Sequence, residues 1–131
     1  MAKQTVNNSD TGLSARTKIN DNFTEVYGRA TSVASTATLT PAFDTYDLYE
    51  VTAQAEALAI AAPTGSVANW EGKVLRITDN GTGRAISWNA IYRPFGSALP
   101  TTTVLGKTLY IPMIYNSTDV KWDVMPSQEE V

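Results

Sequence analysis

With no histidine and no cysteine among its 131 residues, the chain has few side chains left for chemistry. The commonest general base and the commonest transition-metal ligand are both missing, so a Ser-His-Asp site, a Cys-His site or a conventional zinc site cannot be assembled. Disulfide and thiolate chemistry are excluded as well. Carboxylates remain as the plausible catalytic acids. They fall mostly at expected turns: Asp79, Asp119, Asp123 and the group Asp44, Asp47 and Glu50. A glycoside hydrolase needs two carboxylates facing each other across a cleft at a fixed separation, and nothing in this spacing imposes such a pair. Charged residues at strand ends are usually solvated, so no catalytic residue is assigned and the chain is read as not an enzyme. The Asp44, Asp47 and Glu50 group lacks the glycine and ligand rhythm of a calcium loop. No metal and no cofactor are expected.

Aromatic residues offer a second kind of chemistry, because flat apolar rings suit the apolar faces of sugars and anchor recognition. Trp88 and Trp122 occupy inward positions of expected strands and are read as core. Trp70, in SVANWEGK, and Tyr92 and Phe95, in YRPF, are the surface candidates for glycan or partner contact. The bland alternative is that such loop aromatics cap the open end of the core.

The elements that would position these residues are legible to different degrees. The first dozen residues, MAKQTVNNSDTG, are polar, rich in turn formers and without period, which predicts an extended arm. Asp10 or Thr11 can cap a helix. From Leu13 onward, Ile19, Phe23, Val26 and Ala30 recur with spacings of four, three and four, and Tyr27 widens the stripe. Gly28 is placed to end the helix. A helix this short is marginal in water without a surface to lie on. That surface is either the chain's own β region or copies of the same helix.

After Ala30 the pattern changes to short strands. Val33, Ala37 and Leu39 can share one face of a first strand, and Tyr49, Val51 and Ala53 alternate with Leu48, Glu50 and Thr52. Leu58, Ile60 and Ala62 continue beyond Gln54, Ala55 and Glu56. A helix across QAEALAIAA competes there, but the β-branched context and Pro63 favour strand. KVLRIT and RAISWN, joined by DNGTG, read as a hairpin with Leu75, Ile77, Ile86 and Trp88 on the apolar side. TLYIPMIY and VKWDVM, joined by NSTD, read as a second hairpin. Leu109, Ile111, Met113, Tyr115, Val120, Trp122 and Val124 should face inward there, with Lys121 and Asp123 outward. Pro112 predicts an edge position or a bulge. The segment IYRPFGSALPTTTVLG reads as a long connection, and no internal repeat is evident. These features predict a mainly β chain, a β-sandwich or jelly-roll-like domain over residues 31–131 preceded by an arm and amphipathic helix over residues 1–30.

The formal net charge of −3 and the scatter of the basic residues argue against a nucleic-acid partner. No apolar run approaches the roughly 20 residues that span a bilayer, and the amino terminus lacks a secretory layout. No membrane association is expected, and synthesis and retention in a cytoplasm are.

Two segments together resemble a known group. DTGLSARTKINDNFTEVYG resembles the short N-terminal helical motif of many tailed-bacteriophage virion proteins, with a TKIN-x-NF-x-E-[LV]-Y core at residues 17–27. LRI-x-DNGT-x-R-x-[IL]-[ST]-W-N, then LP-T-T-T, then Y-N-x-x-D-x-KWDV, are similar to a β module of phage tail-fibre, baseplate and head-decoration proteins. The resemblance covers nearly the whole chain and brings no catalytic residue. It implies a homotrimer in which Leu13, Ile19, Phe23, Val26 and Tyr27 serve oligomerisation or docking, around a shared axis or on a neighbouring subunit. It further implies a non-enzymatic virion component, a capsid decoration, cement or head-fibre protein, whose partners are other virion proteins and which is made in the host bacterial cytoplasm. The alternatives are a tail-fibre or baseplate adaptor and a carbohydrate-binding receptor-recognition module. The chain stops shortly after Met125 and Pro126 without a receptor-binding shaft, which favours a compact decorating part over a long fibre.

Overall fold

The computed structural model describes residues 4–26 and 29–131, with the side chains of residues 23–26 excepted. Helix α1 spans Gly12–Val26. Thr11 caps it, its hydroxyl accepting from the Ser14 N–H at 3.2 Å, which satisfies one of the helix's otherwise orphaned first amides. Gly28, expected to end the helix, lies outside the described residues. The arm is not free of structure: Gln4 exchanges two hydrogen bonds with Asn22 and donates to Asp21, and Lys18 bridges the Thr5 carbonyl and Asp10.

Ten strands follow: β1 (Ala30–Val33), β2 (Thr38–Leu39), β3 (Leu48–Gln54), β4 (Leu58–Ile60), β5 (Gly72–Asp79), β6 (Ile86–Trp88), β7 (Tyr92–Pro94), β8 (Thr108–Asn116), β9 (Lys121–Val124) and β10 (Gln128–Glu129). They form a mixed seven-stranded sheet of order β1-β3-β5-β8-β9-β7, with β10 also on β8, and a three-stranded sheet of order β2-β4-β6. The chain is mainly β, as its patterning predicts. Successive strands alternate between sheets, so the first six make a three-turn coil in which β1, β3 and β5 pair in parallel and β2, β4 and β6 do likewise. The turns of this coil differ in length, which is why no repeat appears in the sequence.

The coil's inner faces supply one core. Leu39, Leu58, Ile60 and Ile86 come from the small sheet, Tyr49, Val51, Leu75 and Ile77 from the large one, and Phe43 from the connection between β2 and β3. The β8–β9 pair continues the large sheet beyond β5 and adds Leu109, Ile111, Met113, Trp122 and Val124. Burying this many branched and aromatic side chains contributes roughly 1.5–3 kcal/mol each relative to exposure.

Several expectations are corrected. KVLRIT and RAISWN do not form a hairpin: β5 lies between β3 and β8, and β6 pairs in parallel with β4. The intervening loop turns the chain from one sheet to the other because Asp79 anchors it, accepting from the Gly81 N–H at 2.7 Å, the Gly106 N–H at 3.0 Å and the Thr103 hydroxyl at 2.7 Å. Val33 and Leu39 belong to two strands in different sheets, and Val33 is exposed. Ala53 is exposed and Gln54 buried, because β3 shifts register between Val51 and Gln54. The segment read as a long connection contains β7, which pairs in parallel with β9. Pro112 sits in an interior strand. It is tolerated because it falls between the stretch of β8 paired to β9 and the stretch paired to β10, where no partner needs its missing N–H. Val120 is exposed with φ 53°, in the turn instead of the core. The hairpin of β8 and β9 itself is present, and the competing helix across residues 54–62 is not.

Candidate functional site

Three places merit examination: the stripe on α1, the carboxylates, and the aromatic surface. On α1, Leu13 is 66 % and Ile19 44 % exposed. At about 100° per residue, Leu13 sits roughly 120° round the helix from Ile19, so the two do not share one face. Phe23 and Val26 lie on the helix, but their side chains fall outside what is described, as does Tyr27 altogether. Hydrogen bonds and an ion pair join α1 to the arm, at Gln4, Thr5 and Asp10.

The carboxylates are held by fold-building partners. Asp47 and Glu71 both meet Lys73, whose side chain is wholly buried, and Arg29 approaches Asp47 at 3.3 Å and the Asp44 and Thr45 carbonyls. This cluster ties the start of β1 to β3 and β5. Glu50 pairs with Arg76 across the same two strands. Asp123, expected outward, is buried under Arg93, whose Nε donates to it at 2.7 Å and which also reaches Asp119 at 2.9 Å. Burial alone would push the Asp79 carboxyl up; the donors from Gly106, Thr103 and Gly81 outweigh it and hold this group below the ordinary carboxylate value. Among the described residues, no three acidic side chains converge as a metal ion would need.

The aromatic candidates separate. Tyr92 is core, corrected from surface: β7 carries it inward, its ring packs edge-on against Trp88 at 5.2 Å, and its hydroxyl donates to the Ala61 carbonyl at 3.0 Å. Burial pushes its phenol well up. Phe95 is 55 % and Trp70 65 % exposed, and neither makes a ring contact among the described residues. They are held by different neighbours: Phe95 donates its amide to the Val124 carbonyl, Trp70 to the Tyr115 carbonyl at 2.8 Å.

Trp70 has a further peculiarity: its φ is 66°, in the left-handed region. A bulky residue there is a genuine outlier, and such strain persists only where surroundings impose it. They do here. The Ala68 N–H donates to the Glu71 carboxylate, the Tyr115 N–H to the Glu71 carbonyl, and the Ser117 N–H to the Asn69 side chain.

Beside this loop opens a cavity of about 230 Å³ that sequence reasoning missed. Phe43 and Trp122 form its floor, Tyr115, Val67 and Ile91 its sides, and residues 63–66 its rim. No charged side chain lines it. The rim depends on Gly65, with φ 82°, because a Cβ there would stand 2.1 Å from the Asp44 side chain. PTGS signals a turn in the sequence; only the coil's stacking brings that turn to β8 and β9.

Compared with family models, curated proteins and solved structures, the chain matches none.

Proposed function

We propose that this protein is a non-enzymatic structural component of a tailed-phage virion, a trimeric capsid decoration, cement or head-fibre protein attached through its arm and α1. In this reading the two-sheet β region is a sandwich-like body carried outward by that attachment. The motif resemblance over residues 17–27 motivates the proposal. The observation that supports it most is the exposure of Leu13 and Ile19 on a helix whose described bonds run to the arm. A short helix with apolar residues left in water gains stability when other subunits cover them.

Sedimentation of the full chain tests this directly. The expected species has three times the mass of the 14.2 kDa chain, and Phe23→Asp reduces it to a folded monomer by placing a charge among apolar neighbours, a change of several kcal/mol in association. A wild type that stays monomeric at high concentration, and does not bind purified phage heads or tails, overturns the reading. Gold-labelled protein at the baseplate instead of the head selects the tail-adaptor alternative.

A further inference from the structure

We propose that the cavity beside Trp70 is a neutral-sugar site, in which one pyranose ring seats in the cavity while the next unit of a glycan stacks on the Trp70 indole. This goes beyond the structural role above and does not rest on it. The carrying feature is a contradiction inside the fold. At φ 66° a glycine would be at ease, yet the position holds the largest side chain, 65 % exposed and without a hydrogen bond or ring partner among the described residues. The fold bears the strain and gains little packing from the indole. Its backbone is nevertheless pinned on both sides, by the Trp70 N–H donating to the Tyr115 carbonyl, the Tyr115 N–H donating to the Glu71 carbonyl and the Ser117 N–H donating to the Asn69 side chain, so the loop that carries the indole has little backbone freedom left to lose on binding.

The adjoining cavity selects the ligand class. Tyr115 belongs to both parts: its carbonyl holds Trp70 and its side chain lines the cavity. Thr64, Ser66 and Tyr115 line the cavity together with apolar Val67 and Ile91, and their hydroxyls make no hydrogen bond among the described residues. That combination, uncharged hydroxyls around an apolar wall, mirrors a pyranose ring with its apolar faces and hydroxyl rim. At about 230 Å³ the space falls below ordinary drug-sized pockets of roughly 300–1,000 Å³ and suits a single ring. Acidic sugars are disfavoured, since the lining holds no lysine or arginine to pair with a carboxylate.

The test is an amide and indole NMR titration of the full chain with methyl α-glucoside, methyl β-galactoside and N-acetylglucosamine, with glucuronic acid as the charged comparison. At least one neutral sugar should move the Trp70 indole and the amides of residues 64–70 and 115–117, with glucuronic acid weaker. Trp70→Gly should melt at the same temperature or higher, because the strain is relieved, and lose at least tenfold in affinity. Tyr115→Phe, which keeps the ring, should lose several-fold. No response to any neutral sugar, a response unchanged in Trp70→Gly, or preference for glucuronic acid overturns the assignment. So does occupation of the same residues by a virion-protein peptide with no sugar response. Oligomeric mass is read separately, so either proposal can fail alone.

Discussion

Residues 4–26 and residues 30–131 are stabilised by different physics. Among the described residues, the first region is joined by a handful of hydrogen bonds that polar side chains make with one another and with the backbone, while Val6, Leu13 and Ile19 are exposed. The second encloses fifteen buried apolar side chains, fourteen from the two sheets and Phe43 from a connection, and ties its strands with the ion pairs of Lys73, Arg76 and Arg93. The contrast teaches where function can be sought. A region whose contacts are few opens at little cost and is available to a partner, whereas a packed core is expensive to disturb and holds surface loops rigid.

The sharpest break of this contrast is Trp122→Ala. Trp122 packs on Phe43 at 4.6 Å and Tyr115 at 5.1 Å, so truncation should cost about 3–5 kcal/mol in urea unfolding. Amide exchange of α1, in the same sample, should change little. Loss of both regions together would show that they form one cooperative unit.

Next in size is Lys73→Ala, which leaves Asp47 and Glu71 without their shared cation; partial solvation of both carboxylates limits the expected loss to about 2 kcal/mol. Arg29 remains beside Asp47 and softens the effect further. Equal loss in Lys73→Met would assign the effect to charge; recovery in Lys73→Met would assign it to packing.

Asp79→Asn is expected to cost about 1–2 kcal/mol at pH 7 by weakening the bonds from Gly81, Gly106 and Thr103. Because the folded-state pKa of Asp79 is lowered, its contribution is present above the unfolded value near 3.8 and is lost as pH falls through the lower folded value. The gap between wild type and variant should therefore narrow as pH falls below 3.8, as chemical denaturation at neutral pH and in acid would show. A gap independent of pH contradicts the assigned linkage.

The smallest effect belongs to the arm. Lys18→Ala removes the bonds to Thr5 and Asp10 and should leave the unfolding free energy of the β region within about 0.5 kcal/mol of the wild type's, while amides of residues 4–10 exchange faster. Protection unchanged there would mean that other contacts secure the arm.

The contrast also sorts what was legible. The alternation of Leu75 and Ile77 against Arg76 and Thr78, and the NSTD turn between β8 and β9, are local signals and correspond to observed elements. The supposed hairpin across DNGTG failed because alternation reports which face of a strand is apolar and says nothing of which strand lies beside it. Asp79 reads as a turn residue in either topology; its three donors come partly from residues 103 and 106, which only tertiary structure delivers. Tyr92 looked like a loop aromatic because YRP is too short to show a period, and its pairing with Trp122 on β9 is non-local.

Composition by itself determined that no imidazole or thiolate chemistry is available, and periodicity determined a mainly β chain behind one short helix. Tertiary structure alone decided that the strands coil between two sheets in parallel, that Lys73 and Asp123 are buried against their counter-charges, and that the PTGS turn, Val67 and Tyr115 meet around one cavity. The physical reason is range: side-chain type and the period of a strand act over a few residues, whereas parallel pairing and cavity walls join segments separated by whole turns of the coil, and only the packed state brings them within contact.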